Sequence, residues 1–182
     1  SPEIRSMFQY QQLNMDFTSE TAKESSKAYV NYLIYQKPNS KTLKTTLDTM
    51  MEENKFDIKD DTKNPTVIFI VSDKVNDSLQ KMVHDLSEDT SYPCFVQIFW
   101  IKTLMIDITK HHTVPKHEII NDDEYQSEVK DKYNIPTRSQ LPRIDHRTDP
   151  AAKFIGIRPG QVCRVTRRSE TNGEYVIYRH CR

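Results

Sequence analysis

Apolar positions in the first hundred residues alternate between two kinds of pattern. Residues 28–35 (AYVNYLIY) mix aromatic and branched side chains and run into Lys37-Pro38-Asn39-Ser40, which predicts a strand and then a turn. Leu43, Leu47, Met50 and Met51 follow at i, i+4, i+7 and i+8, one helical stripe that Ser40 can cap. The continuous run Val67-Ile68-Phe69-Ile70-Val71, bounded by Pro65 and Ser72-Asp73, predicts a central strand covered on both faces. Leu79, Met82, Val83 and Leu86 give a second stripe at i, i+3, i+4 and i+7, with Asn76 or Asp77 at its cap. Residues 95–101 and 104–109 are expected to form two further strands. The succession predicts an α/β (α+β) unit, a mixed or parallel sheet with flanking helices. Residues before Ala28 fit no element: residues 18–27 are polar and rich in Ser, Thr, Glu and Lys. The opening on Ser1 is expected to reflect processing or partial coverage of a longer chain.

Beyond residue 110 the pattern changes. Asn121-Asp122-Asp123 can cap a short polar helix over 124–133, and Asp149-Pro150 places a cap before a proline suited to the first helical position. Gly156 can end that second helix in the left-handed conformation. Two strands are predicted over 161–168 and 174–180. Their link contains Asn172-Gly173, a turn dipeptide that fits either a tight hairpin or a longer loop. All three glycines of the chain lie in this region.

With 182 residues, 36% of them hydrophobic, the chain can bury one good core or two small ones. Formal charge is zero, which argues against a free-standing polycationic nucleic-acid binder. The charge is uneven, however: from Pro136 to Arg182 ten Lys/Arg face four acids, so this tail carries +6 and the remainder −6. Nine of those ten cations are arginine, the residue of forked hydrogen bonds to carboxylate or phosphate. No apolar stretch reaches the ~20 residues of a membrane helix. The longest, 95–108, is interrupted by Gln97, Lys102 and Asp107. Cys94, Cys163 and Cys181 show no C-x-x-C spacing, so idle thiols in a reducing compartment are expected.

Candidate catalytic chemistry is thin. His111, His112 and His117, with Asp107 and Glu118 nearby, superficially suggest a metal site. Adjacent histidines point apart, though, and no cysteine stands at ligand spacing, so exposed or interface histidines are the ordinary reading. Cys163 with a distant histidine could form a nucleophile pair, but it lies inside a predicted strand, where free cysteine is usually a small buried hydrophobe. Neither a Gly-rich phosphate loop nor a G-x-S-x-G elbow occurs.

A series of short signatures then becomes informative by its order: His117 after Val114-Pro115-Lys116, Leu141-Pro142-Arg143-Ile144, Asp149-Pro150-Ala151, Gly156-Ile157-Arg158-Pro159-Gly160-Gln161-Val162, Arg168-Ser169-Glu170-Thr171 and Glu174-Tyr175-Val176-Ile177-Tyr178-Arg179. Together they resemble the fifth subunit of eukaryotic-type DNA-directed RNA polymerases, shared by polymerases I, II and III, whose C-terminal domain is similar to a small archaeal RNA polymerase subunit. The resemblance covers roughly residues 28–182 in pattern and is strong in sequence from about Leu104 onward. It implies a jaw domain over 1–109 and, over 110–182, a small C-terminal α/β assembly domain like that archaeal protein.

The implied role is non-catalytic. The assembly domain would anchor to the largest polymerase subunit, and the jaw would stand beside downstream double-stranded DNA. Other polymerase subunits are implied partners; no cofactor, metal, membrane or small-molecule substrate is. The implied interface comprises Pro115, His117, Leu141, Pro142, Arg143, Asp149, Pro150, Arg168, Ser169, Glu170, Thr171, Tyr178 and Arg179. Ser169-Glu170-Thr171 reads equally as turn residues satisfying local backbone, and Arg179 as an ordinary strand arginine on a wet face. In the jaw, the family's DNA-approaching loop carries Thr-Pro-Ser-Ala, whereas this chain has Ser72-Asp73-Lys74-Val75-Asn76-Asp77-Ser78. Lys74, Asn76 and Ser78, with the helix-start amides, could bind a phosphate, while Asp73 and Asp77 oppose it.

Two alternatives from other classes stand beside this reading: a free-standing DNA-binding module using the basic tail, and a small hydrolase with metal at the histidine cluster. Abundant Asn, Asp, Lys and Ile fit an AT-rich genome, so a nuclear subunit and one carried in the virion and host cytoplasm by a large DNA virus both suit the composition.

Overall fold

The computed structural model describes residues 15–21, 24–34, 38–53, 64–169 and 173–182. The chain divides into two compact units, Ser1–Ile106 and Asp107–Arg182.

The first unit contains β1 (Met15–Thr21), β2 (Glu24–Leu33), α1 (Ser40–Glu52), β3 (Thr66–Val71), α2 (Asp77–Glu88) and β4 (Phe95–Trp100). Its sheet runs in the order β1-β2-β3-β4, β1 antiparallel to β2 and the other three strands parallel. Successive parallel strands advance in one direction, so crossovers of the favoured hand set both helices on one face. Packing agrees: Leu43, Leu47 and Met50 of α1 and Leu79, Val83 and Leu86 of α2 share a core with Tyr29, Val67, Phe69, Val71, Val96 and Ile98. On the opposite face of β3, Ile70 is buried and Ile68 half-buried. Leu43 and Leu47 are wholly withdrawn from water, each stabilising by about 1.5–3 kcal/mol through burial. Both caps are asparagines: Asn39 accepts from Thr42 N at 2.8 Å and Asn76 from Leu79 N at 2.8 Å. Ser40, expected to cap α1, is instead its first residue.

Two expectations for this unit fail in detail. Residues 104–109 form no strand. Two 3₁₀ turns, Ile101–Met105 and Ile108–Lys110, flank Ile106 and Asp107: the Thr103 hydroxyl donates to the Trp100 carbonyl at 2.6 Å in the first, and the Asp107 carboxylate takes the Thr109 amide at 3.0 Å and its hydroxyl at 2.6 Å in the second. That local competition ends extended structure. Conversely, the polar stretch that fits no element carries β1 and the first half of β2, seven residues of antiparallel register from Met15↔Val30 to Thr21↔Glu24. Residues Tyr35 and Lys37 of the expected strand end and turn lie outside the described residues.

The second unit is a four-stranded sheet in the order β5-β7-β8-β6, from β5 (Lys116–Ile120), β6 (Arg143–Ile144), β7 (Val162–Ser169) and β8 (Gly173–Cys181). One face carries α4 (Pro150–Ile155), the other α3 (Asp122–Glu124) and its π-helical continuation Tyr125–Asp131. Strand alternation sorts the side chains. Cys163, Val165 and Cys181 pack with Ala152, Ile144 and Ile157, while Val162 and Ile120 pack with Tyr125, Val129 and Leu141. The helix expected over 124–133 therefore begins earlier and changes its winding. Asn121 and Glu124 form a reciprocal capping box, and Tyr125 and Val129, four residues apart on one helical face, both reach the core. The last register pair, Ser169↔Gly173, leaves three residues in the link, so a two-residue hairpin does not form; those residues, 170–172, lie outside the described part.

Candidate functional site

The face of the second unit that carries α4 is built from a short helix fixed at both ends. Asp149 Oδ1 accepts from the amides of Ala151 at 2.8 Å and Ala152 at 3.2 Å, and Pro150 sits in the first turn, where it lacks no partner. At the other end Gly156 takes φ +66°, a left-handed conformation that side chains with a Cβ adopt only at a cost. So held, α4 packs Ala152 against β7 and β8 and presents Pro150 and Ala151 to a groove of about 400 Å³.

The groove brings together five of the residues singled out in the sequence, Pro115, His117, Asp149, Pro150 and Arg179. Its floor is apolar, with Val165, Ile144, Ile177 and Val114. Arg167 and Arg179 stand over that floor and form no ion pair among the described residues; Arg179 Nη1 donates only to the Arg143 carbonyl, at 3.3 Å. The one carboxylate in the lining, Asp149, has an oxygen committed to the helix cap. The groove thus pairs an apolar surface with unneutralised guanidinium groups, a combination suited to an apolar chain segment bearing a carboxylate. His117 is held at its entrance: Nδ1 lies 2.8 Å from the Pro115 carbonyl oxygen, which can only accept, so this ring nitrogen carries the proton. A second, more polar groove of about 580 Å³ contains Arg168 with His112, Lys116, Thr166 and Glu174.

Other residues singled out in the sequence sit elsewhere. Leu141 fills the unit's own core beside Val129 and Val162. Pro142 contributes its carbonyl to the His180 amide at 2.9 Å, and Arg143 is exposed on β6. Ser169 is half-buried at the end of β7, paired in register with Gly173. Glu170 and Thr171 lie outside the described residues. Tyr178 points away from the groove, toward the π-helical segment, where its hydroxyl donates to Glu128 Oε2 at 2.7 Å.

That bond belongs to a network with no signature in the linear sequence. Arg164 Nη1 donates to Glu128 Oε1 at 2.8 Å and Oε2 at 3.0 Å, and Nη2 reaches Glu118 Oε2 at 3.4 Å. The Tyr178 hydroxyl first, then Arg164, holds the Glu128 carboxyl below its usual range. Burial and the same carboxylate push Tyr178 up to about 12. The partners are 36 and 50 residues apart, too far for any local pattern to mark them.

Cys163 is fully buried opposite Arg179, and burial pushes its thiol up to about 11, away from the thiolate form that nucleophilic chemistry uses. Rings of His111 and His112 stack with centroids 4.7 Å apart. No three His, Cys, Asp or Glu side chains come together as a metal site among the described residues.

In the first unit, Lys74 is exposed on the loop between β3 and α2, Asn76 is the helix cap and Ser78 is exposed in the first turn. Trp100 Nε1 anchors the loop by donating to the Ser72 carbonyl at 2.9 Å. Because Asn76 Oδ1 already takes the Leu79 amide, and Asp77 adds a negative charge to the first turn, this helix start is partly satisfied from within.

Residues 106–181 match the family described as RNA polymerase Rpb5, C-terminal domain. Over 139 residues, the chain is 32% identical to the DNA-directed RNA polymerases I, II, and III subunit RPABC1 of Caenorhabditis briggsae and to that of Caenorhabditis elegans. The aligned stretch covers 76% of this chain and spans 58% of the length of each of those relatives.

Proposed function

From the match of residues 106–181 to the RNA polymerase Rpb5 C-terminal domain family, we propose that the chain is a non-catalytic subunit of a multisubunit DNA-directed RNA polymerase. The second unit, Asp107–Arg182, anchors it to the largest subunit; the first, Ser1–Ile106, forms a lower jaw near downstream DNA. The boundaries 1–109 and 110–182 remain our division into jaw and assembly domains. Eukaryotic relatives favour the nucleus as its place of work.

The observation that carries the anchoring role is the groove beside α4, where Arg167 and Arg179 stand unpaired over an apolar floor. Apolar area there supplies affinity, and the two cations select a partner with carboxylates and penalise one without. A free-standing DNA-binding module is less well supported, because the basic excess is not one free face. Arg138, Arg147 and Arg164 are engaged with Asp122, Asp145 and Glu128.

The test is affinity purification of the tagged full chain at mild salt with mass spectrometry. Recovery of the two largest polymerase subunits, abolished by Arg179→Glu, is the expected result. A chain that elutes alone would overturn the anchoring role and favour the free DNA-binding reading. For the jaw, Lys74→Glu should weaken downstream-DNA crosslinking to this subunit in the assembled enzyme, and unchanged crosslinking would remove Lys74, Asn76 and Ser78 as a phosphate site.

A further inference from the structure

One edge of the second sheet is unfinished. On its inner side β8 pairs with β7 along its length, from Ser169↔Gly173 to Val162↔His180. On its outer side it pairs with β6 only at Arg143↔His180 and Ile144↔Cys181. The His180 amide points outward to the Pro142 carbonyl at 2.9 Å, while the Cys181 amide points inward to Gln161 at 2.9 Å. Strand backbone alternates, so Glu174, Val176 and Tyr178 also turn their N–H and C=O groups outward. None of the three has a backbone partner on that side among the described residues.

Such an edge is a template for another strand, and proteins usually blunt it with lysine, proline or a bulge. The sheet's opposite edge, β5, begins with Lys116, ion-paired to Glu118 at 2.6 Å. The stretch from Glu174 to Tyr178 has neither lysine nor proline, and its Tyr175 and Val176 are exposed at 53% and 37%. Side chains of an added strand would alternate between the two faces of the sheet. Those on the face of Ile177 and Arg179 would reach the apolar groove and the unpaired guanidinium groups.

We infer that an extended segment of the partner subunit adds to this sheet as a strand along the outer edge of β8, in line with β6. Its alternate apolar side chains lie over the groove, and one carboxylate faces Arg179. Main-chain hydrogen bonds supply affinity and the groove supplies selectivity, the usual division of labour in strand addition. The inference rests on the anchoring role proposed above.

The experiment is hydrogen exchange resolved to single amides, on the full chain alone and in complex with the largest polymerase subunit. Protection gained at Glu174, Val176 and Tyr178, with Tyr175 and Ile177 already protected in the free chain, is the expected alternation. Val176→Pro removes one outward N–H without touching the bonds to β7; it should lower affinity at least tenfold, with Val176→Thr near wild type. A complex in which the three outward amides exchange as in the free chain would overturn strand addition and leave the anchoring role standing. Failure to form any complex would overturn both. If Val176→Pro does not fold, the exchange pattern of the wild-type complex decides alone.

Discussion

Replacing Glu128 with glutamine removes the charge at the centre of the Arg164–Glu128–Tyr178 network while keeping its shape and one acceptor oxygen. The carboxylate accepts from Arg164 at 2.8 and 3.0 Å and from Tyr178 at 2.7 Å. Hydrogen bonds to charged groups contribute about 1.5–3 kcal/mol when buried. Here the Glu128 and Arg164 side chains are 33% and 26% exposed, and water competes, so we expect a loss of roughly 1–2 kcal/mol. The sign with pH follows from the lowered carboxyl pKa. Its stabilisation is present above the unfolded carboxylate value of about 4.3 and is lost as pH falls through the lower folded value. The wild-type advantage over Glu128→Gln should therefore be full at pH 7 and close in acid. Urea unfolding should be followed through the exchange of β7 amides such as Cys163 and Val165, because the chain's one tryptophan, Trp100, reports on the first unit instead. Coincident unfolding of the two proteins at pH 7, or a gap that persists undiminished in acid, would refute the network as a source of stability.

Three further outcomes are expected. Asp149→Ala should cost the second unit about 0.5–2 kcal/mol through the lost cap of α4, whereas Asp149→Asn, which keeps the Oδ1 acceptor, should stay within a few tenths; thermal unfolding of the pair separates capping from charge. Leu47→Ala, at a position with no exposure, should cost about 2–5 kcal/mol and shift the Trp100 fluorescence transition while leaving β7 exchange unchanged. Cys163 and Cys181, both buried and both pushed up to about 11, should resist iodoacetamide at pH 8 in the native chain and react on unfolding; rapid native alkylation would contradict their placement.

The periodicities of the sequence determined the elements whose stabilising partners are local or whose burial is complete. The stripes of α1 and α2, the apolar run of β3, the Asp149-Pro150 start of α4 and its Gly156 stop were all legible, since caps and helical spacing act within a few residues. The ordered signatures from Val114 to Arg179 likewise carried the resemblance to the family that residues 106–181 match. Tertiary structure decided what depends on distant partners. β1 and the start of β2 are polar and gain their structure from pairing with each other, whereas Leu104, Met105 and Ile106, apolar enough for a strand, meet no sheet neighbour and remain exposed at 43%, 78% and 70%. Among the candidate residues, only the fold could put Pro115, His117, Asp149 and Arg179 in one groove, withdraw Leu141 into the core and join Tyr178 to Glu128. Side-chain identity limits what a residue can bind, but the strand register decides which face it occupies, and a shift of one residue would reverse every such assignment.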